Sequence, residues 1–316
     1  MDLAKTLFRP VFEPEAGGAD ERDDEAAIKT YRYLRLGMIA VVVALVVSIA
    51  FVVDVTHCWQ GSISAYYYTS ARPIFVSGMI AISVSLIVIK GSTVTEDLLL
   101  NFAGMMAPIV AFVPTSFERS CANPLEQEAS GSADSIRQAA QNNLAATLAA
   151  GLFALVVGLV VFAVEKRRGK IGRRDVPGQV FVLGATALAL LVASWLLATE
   201  RILDYHGWSA VAMFGFLALA AIANGVWLLW VNRRPGPNTS RYWRTYAYLY
   251  LFVGVTMIAG GAFIKFGIRG EWAHRTLVLE MTEIALFVVM WAVQSVERWD
   301  KILQTPKVGA DVAYEP

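Results

Sequence analysis

Eight stretches of continuously apolar residues decide what this chain can fold into. A helix needs roughly 20 such residues to cross ~30 Å of hydrocarbon. Segments 36–53, 73–89, 98–114, 144–164, 179–198, 208–231, 245–264 and 277–295 meet or nearly meet that length. None alternates polar with apolar residues as outer-membrane strands do. The sequence therefore predicts an all-α, polytopic integral membrane helix bundle with eight transmembrane helices. Composition agrees, with 56% of the 316 residues apolar and 17% charged, against about a quarter charged in soluble domains. A formal net charge of +1 supplies no field to attract nucleic acid. Three His and two Cys are too few for a zinc-finger or iron–sulfur scaffold. Soluble enzymes, nucleic-acid binders and disordered chains are excluded.

Basic residues set the orientation. With the N-terminus inside, twenty Lys and Arg fall on inner segments and seven on outer ones: Arg72, Arg119, Arg137, Arg201, Lys265, Arg269 and Arg275. That asymmetry follows the positive-inside rule and places both termini in the cytoplasm. The expected division is an acidic cytoplasmic tail over 1–28, a transmembrane domain over 29–297 and a cytoplasmic tail over 298–316. The expected location is a plasma membrane of the bacterial inner-membrane type. Residues 1–28 lack the apolar core of a cleavable signal peptide. Their DERDDE run, Asp20 to Glu25, reads as solvated, while Leu3, Leu7, Phe8, Val11 and Phe12 have the spacing of a surface-lying helix.

Cys58 and Cys121 both fall outside in this orientation, which points to one structural disulfide between the first and the longest external loops. His57, His206 and His274 fall outside as well, accompanied by Asp54, Asp204 and Glu271. Three histidines with a carboxylate are the ingredients of an open zinc site. They come from three separate loops without HxxxH or HxxE spacing, so surface histidines are the plainer reading, with no cofactor.

Polar residues inside a membrane face the bundle interior or a cavity. In span eight, Thr276, Glu280, Glu283, Gln294 and Glu297 form one stripe at helical spacing. Glu280 and Glu283 sit one and two turns below the external surface and must pair with cations or share protons. A buried ion pair such as Glu280 with Arg72 is one reading, and an outward-facing polar cavity floored by both glutamates is the other. A second stripe, Asp97, Asn101, Gly104 and Pro108, runs down span three, with Asn224 toward the inner half of span six. Gly151, Gly254, Gly260 and Gly261 permit close helix packing.

The segment 61–75, GSISAYYYTSARPIF, places six hydroxyls within eight residues: Ser62, Ser64, Tyr66, Tyr67, Tyr68 and Thr69. It reads either as an ordered cap over the bundle mouth or as a headgroup site, with Arg72 binding the charge and the hydroxyls orienting it. The pattern S-I-S-x-Y-Y-x-T-x-x-R-x-x-F-V, followed by Glu96–Asp97, Ala103–Gly104 and F-V-P-T at 112–115, resembles a widespread set of uncharacterised bacterial multi-pass proteins. More distantly it is similar to membrane proteins of the DRAM/FGF-receptor-activating-protein type, whose final-helix glutamate Glu280 or Glu283 could match. The close resemblance covers roughly residues 57–115. It implies a plasma-membrane protein concerned with lipid organisation and carries over no catalytic residues.

The leading expectation is a non-catalytic membrane protein that binds or organises a lipid or amphiphile through Arg72, Tyr66, Tyr67, Glu280, Glu283 and Asn101. A transporter or channel using the span-eight glutamates is the alternative, and would require Asn101, Asn224 and Gln294 to converge. A membrane-embedded zinc hydrolase built on His57, His206 and His274 is the third. Membrane lipid is the expected partner, with a homo-oligomer left open and nucleic acid excluded.

Overall fold

Between Ala19 and Leu36 the chain carries neither Gly nor Pro. Acidic residue types near a helix start are favoured by the helix dipole. The first helix consequently begins at Glu21, inside the run that reads as solvated tail, and continues unbroken to Thr56. The computed structural model describes residues 21–89, 91–115, 133–169, 176–232, 241–267 and 272–299. Over these it is all helical: α1 Glu21–Thr56, α2 Arg72–Val88, α3 Val94–Phe112, α4 Ala133–Arg167, α5 Val176–Ala198, α6 His206–Val231, α7 Trp243–Ala262 and α8 Arg275–Trp299. Short 3-10 turns form at Ser64–Tyr68 and Arg201–Asp204, and α7 runs on into a π-helical turn at Phe263–Gly267.

Seven of these helices are long and apolar enough to cross a membrane; α2, at 17 residues, is apolar but shorter. Each expected span falls on one helix. The helices mostly overrun the apolar stretches, because polar turns such as 133–143 extend them. Residues 2–12, Cys121, Arg119, Arg269 and Glu271 lie outside the described residues.

One core joins α1, α2, α3, α6, α7 and α8. Met38, Val42, Leu45, Ile49 and Val52 give α1 a buried stripe at helical spacing. Phe75, Met79 and Leu86 face it from α2, and Leu277, Phe287, Met290 and Trp291 from α8. In lipid, apolar burial does not drive helices together; close packing and interhelical hydrogen bonds do. Glycines supply the close approach. A Cβ on Gly254 would stand 2.6 Å from the Ala218 carbonyl oxygen, and one on Gly225 2.8 Å from that of Ala247, which locks α6 against α7 at two levels. Between α2 and α3 the Ser83 hydroxyl donates to the Gly104 carbonyl at 2.7 Å.

Helices α4 and α5 form a hairpin that meets the main core at Ile136 and leans on α3 in a second cluster of Ile109, Val113, Leu144 and Ile202, the last on the 3-10 turn after α5. Phe153, Val156, Val160, Leu188, Leu191 and Trp195 on this pair are exposed.

Candidate functional site: two polar stations on α8

Helix α8 carries polar groups near both ends of the bundle. At one end the chain leaving α1 turns through His57 in the left-handed region (φ 52°) and folds residues 61–71 into a cap. The cap's hydroxyls build it: Ser62 Oγ accepts from the Ala65 N–H at 3.0 Å, and Thr69 Oγ1 donates to the Tyr66 carbonyl at 2.8 Å. Tyr68 reaches the Thr115 carbonyl at 2.7 Å. Tyr66 and Tyr67 are buried, and burial raises both phenols above the ordinary tyrosine range.

Glu280 pins this cap. Its Oε2 accepts from the N–H of Ile63 at 2.5 Å and of Ser64 at 3.4 Å, and Oε1 accepts from the Ser64 hydroxyl at 3.3 Å. The Leu277 N–H adds a bond to the Gly61 carbonyl at 2.9 Å. Arg72 takes no part in this. Its Nη2 donates to the Tyr67 hydroxyl at 2.6 Å, with the guanidinium 4.1 Å from that ring's centroid. The expected Glu280–Arg72 ion pair is therefore corrected: Arg72 turns to Tyr67, and the cap's Ile63 and Ser64 supply the glutamate's donors.

Beneath the cap lies a cavity of about 60 Å³, lined by Val42, Leu45, Phe75, Met79, Met213 and Leu217 among others, with Ser64 and Glu280 at its polar edge. Arg72, Phe75, Met79 and Ile82 follow i, i+3, i+7, i+10 spacing along α2, so the cation stands at the head of the helix face whose other three residues line the cavity. Neither Glu283 nor Asn101 is among the lining residues. The expected polar cavity floored by both glutamates is thus apolar, and Glu280 alone borders it.

The second station lies at the opposite end, around a carboxylate outside the candidate set. Thr93 caps α3, its Oγ1 accepting from the Glu96 N–H at 3.2 Å, and Gly91 N–H donates to Asp97 Oδ1 at 3.3 Å. Glu96 is 1% exposed and collects donors from α6 and α8: Asn224 Nδ2 at 2.9 Å and Gln294 Nε2 at 2.6 Å on Oε1. Arg298 Nη2 donates to Oε2 at 3.1 Å and Oε1 at 3.3 Å, and the Ser92 N–H donates to Oε2 at 2.5 Å. Beside this pair Tyr250 donates to Glu297 Oε2 at 2.8 Å. Arg35 of α1 stacks 4.5 Å from the Tyr31 centroid and 5.5 Å from that of Trp291, and donates to the Gln294 main-chain carbonyl at 3.2 Å.

Asn224 and Gln294 therefore converge, on Glu96. Asn101 is buried five residues further along α3 and bonds neither of them. Buried Phe287, Met290 and Trp291 separate the two stations along α8.

The histidines do not gather. His206 Nδ1 contacts the Val113 carbonyl at 2.5 Å and His274 Nδ1 that of Gln60 at 3.4 Å. Among the described residues no three His, Cys, Asp or Glu side chains stand where they could hold one metal ion.

Three residues of the second station carried a signal that sequence reasoning passed over. Arg35 continues the buried stripe of α1 one turn before Met38, Thr93-x-x-Glu96 is a capping-box pattern, and Arg298 lies one turn beyond Gln294 on the polar face of α8. No family model, curated protein or solved structure matches this chain.

Proposed function

We propose that this chain is a multi-pass membrane protein, crossing eight times with both termini in the cytoplasm, and that it binds an amphiphile from the external side. The carrying observation is the face of α2 on which Arg72 heads a series of apolar cavity-lining residues beneath the folded cap. Arg72 has one phenol oxygen as acceptor and no ion pair with a carboxylate among the described residues, so its remaining N–H groups suit an anionic headgroup. The cavity is too small for a whole lipid. It has room for a few water molecules or the last methylenes of one alkyl chain, and its apolar lining favours the chain. A bridge between Cys58 and Cys121 would tie the cap's entry to the longest external loop.

Native mass spectrometry of the protein in mild detergent tests this reading. A retained lipid-sized mass should be present in the wild type, weakened by Arg72→Gln and displaced by Met213→Trp, which fills the cavity from α6. A wild type carrying no added mass, even after incubation with anionic lipid, would reduce the cavity to a packing void. Stoichiometric zinc on the protein would redirect attention to the histidines.

A further inference from the structure

Glu280 is satisfied by the cap, but its neighbour one turn along α8 is not satisfied by anything. Glu283 is 6% exposed, and its Oε2 has no hydrogen-bond partner. No ion pair reaches this carboxyl among the described residues. It faces the backbone of α7: a Cβ added to Gly261 would lie 3.1 Å from Glu283 Oε1, so the glycine makes the room that the carboxyl occupies. Directly beyond, α7 changes from α- to π-helical at Phe263–Gly267, an interruption that recurs at functional sites.

Among the described residues, the helices packed against α8 offer Glu283 no countercharge. Core-facing α1 between Met38 and Val52, α6 beyond His206 and α7 from Leu251 to Ala262 contain no titratable side chain. Lys265 on the π turn is exposed, and Glu280 on α8 itself is of the same sign. The C-terminal end of α7 adds partial negative charge of its own. A buried carboxylate with an orphaned oxygen is strongly disfavoured unless positive charge joins it.

We propose that Glu283 is a binding site for one small positive charge, a proton or an alkali cation, taken up between α7 and α8 at Gly261. The site is separate from the amphiphile cavity, which Glu283 does not line, so either can fail without the other.

The test is reaction of the full-length protein, in detergent and sodium-free buffer, with dicyclohexylcarbodiimide, which adds the O–H of a protonated buried carboxyl across its C=N bond. Peptide mapping should find the adduct at Glu283, and Glu283→Gln should abolish that adduct while leaving the melting curve cooperative. Gly261→Ala, which crowds Oε1, should slow the labelling. Sodium chloride then separates the two sources of charge. Sodium at about ten times its Kd should slow labelling about tenfold if the cation occupies the site, whereas labelling indifferent to sodium and potassium identifies the proton. Adducts at Glu280 or Glu297 with none at Glu283, in folded protein, would overturn the proposal.

Discussion

Arg298 and Glu96 stand 202 positions apart in the chain and meet at 3.1 Å, on α8 and α3. Glu96 is 1% exposed and Arg298 Nη2 reaches both of its oxygens. Removing one partner of a buried pair strands the other charge, which costs about 3–5 kcal/mol. Arg298→Ala and Glu96→Ala should each destabilise the protein on that scale in a detergent melt. The double variant Glu96→Ala/Arg298→Ala should cost less than the sum of the single losses, because the charges leave together. Additive losses would show that the pair does not act as a unit.

The cap depends on Glu280. Glu280→Ala leaves the Ile63 and Ser64 N–H groups without their acceptor, at about 1–3 kcal/mol for each buried donor. Limited proteolysis should then cut within residues 61–71 of the variant and spare the wild type. Arg72→Gln should leave the cap protected, since the Arg72 side chain bonds it only at Tyr67 and the main-chain bond from its N–H to the Thr69 carbonyl is kept.

Alkaline titration reads the same cap. Burial raises the Tyr66 and Tyr67 phenols, with Arg72 opposing the rise at Tyr67. The neutral phenol is the form the fold favours, so this contribution is complete below the ordinary tyrosine value of about 10 and is lost as pH climbs through the higher folded values. Difference absorbance between wild type and Tyr66→Phe or Tyr67→Phe should show phenolate forming above the ordinary range. Normal titration of both would mean the cap stands open.

Close helix approach predicts a contrast among glycines. Gly254→Ala would press a methyl against the Ala218 carbonyl, whereas a Cβ on Gly215 meets nothing within 4 Å. The first should lower stability by about 1–3 kcal/mol and the second should leave the melt unchanged. Equal behaviour of the two would place the α6–α7 contact elsewhere.

The proposed Cys58–Cys121 bridge is open to direct measurement. The intact mass under non-reducing conditions should be lighter by two hydrogens, and reduction should cost about 2–4 kcal/mol. An unchanged mass would rule the bridge out.

The eight helices were legible because each apolar run is long and lacks strand alternation. Their ends were not, since hydropathy stops where polar turns such as those after Glu21 and Ala133 remain helical. Site residues divided in the same way. The stripe on α8 exposed Glu280 and Gln294, but a stripe gives depth and face on one helix without the azimuth of its neighbours, so Glu280 was matched to Arg72 when backbone of the cap was its partner. Glu96 and Arg298 lie at helix ends, where hydropathy counts charges as loop. Arg35 was counted as topology, although its spacing from Met38 puts it on the buried stripe of α1.

The neighbours of Arg35 bear on how the protein is made. Arg35 belongs to α1, the first of the described helices to be synthesised, yet it packs on Trp291 and the Gln294 carbonyl of α8, the last of them. Glu96 waits for the same helix. Until α8 is synthesised, an arginine and a glutamate stand in the growing bundle without their main partners, open to chaperones and to quality-control proteases. Truncation before α8 should therefore yield a short-lived product, and pulse-chase half-life should lengthen abruptly once the chain includes Arg298.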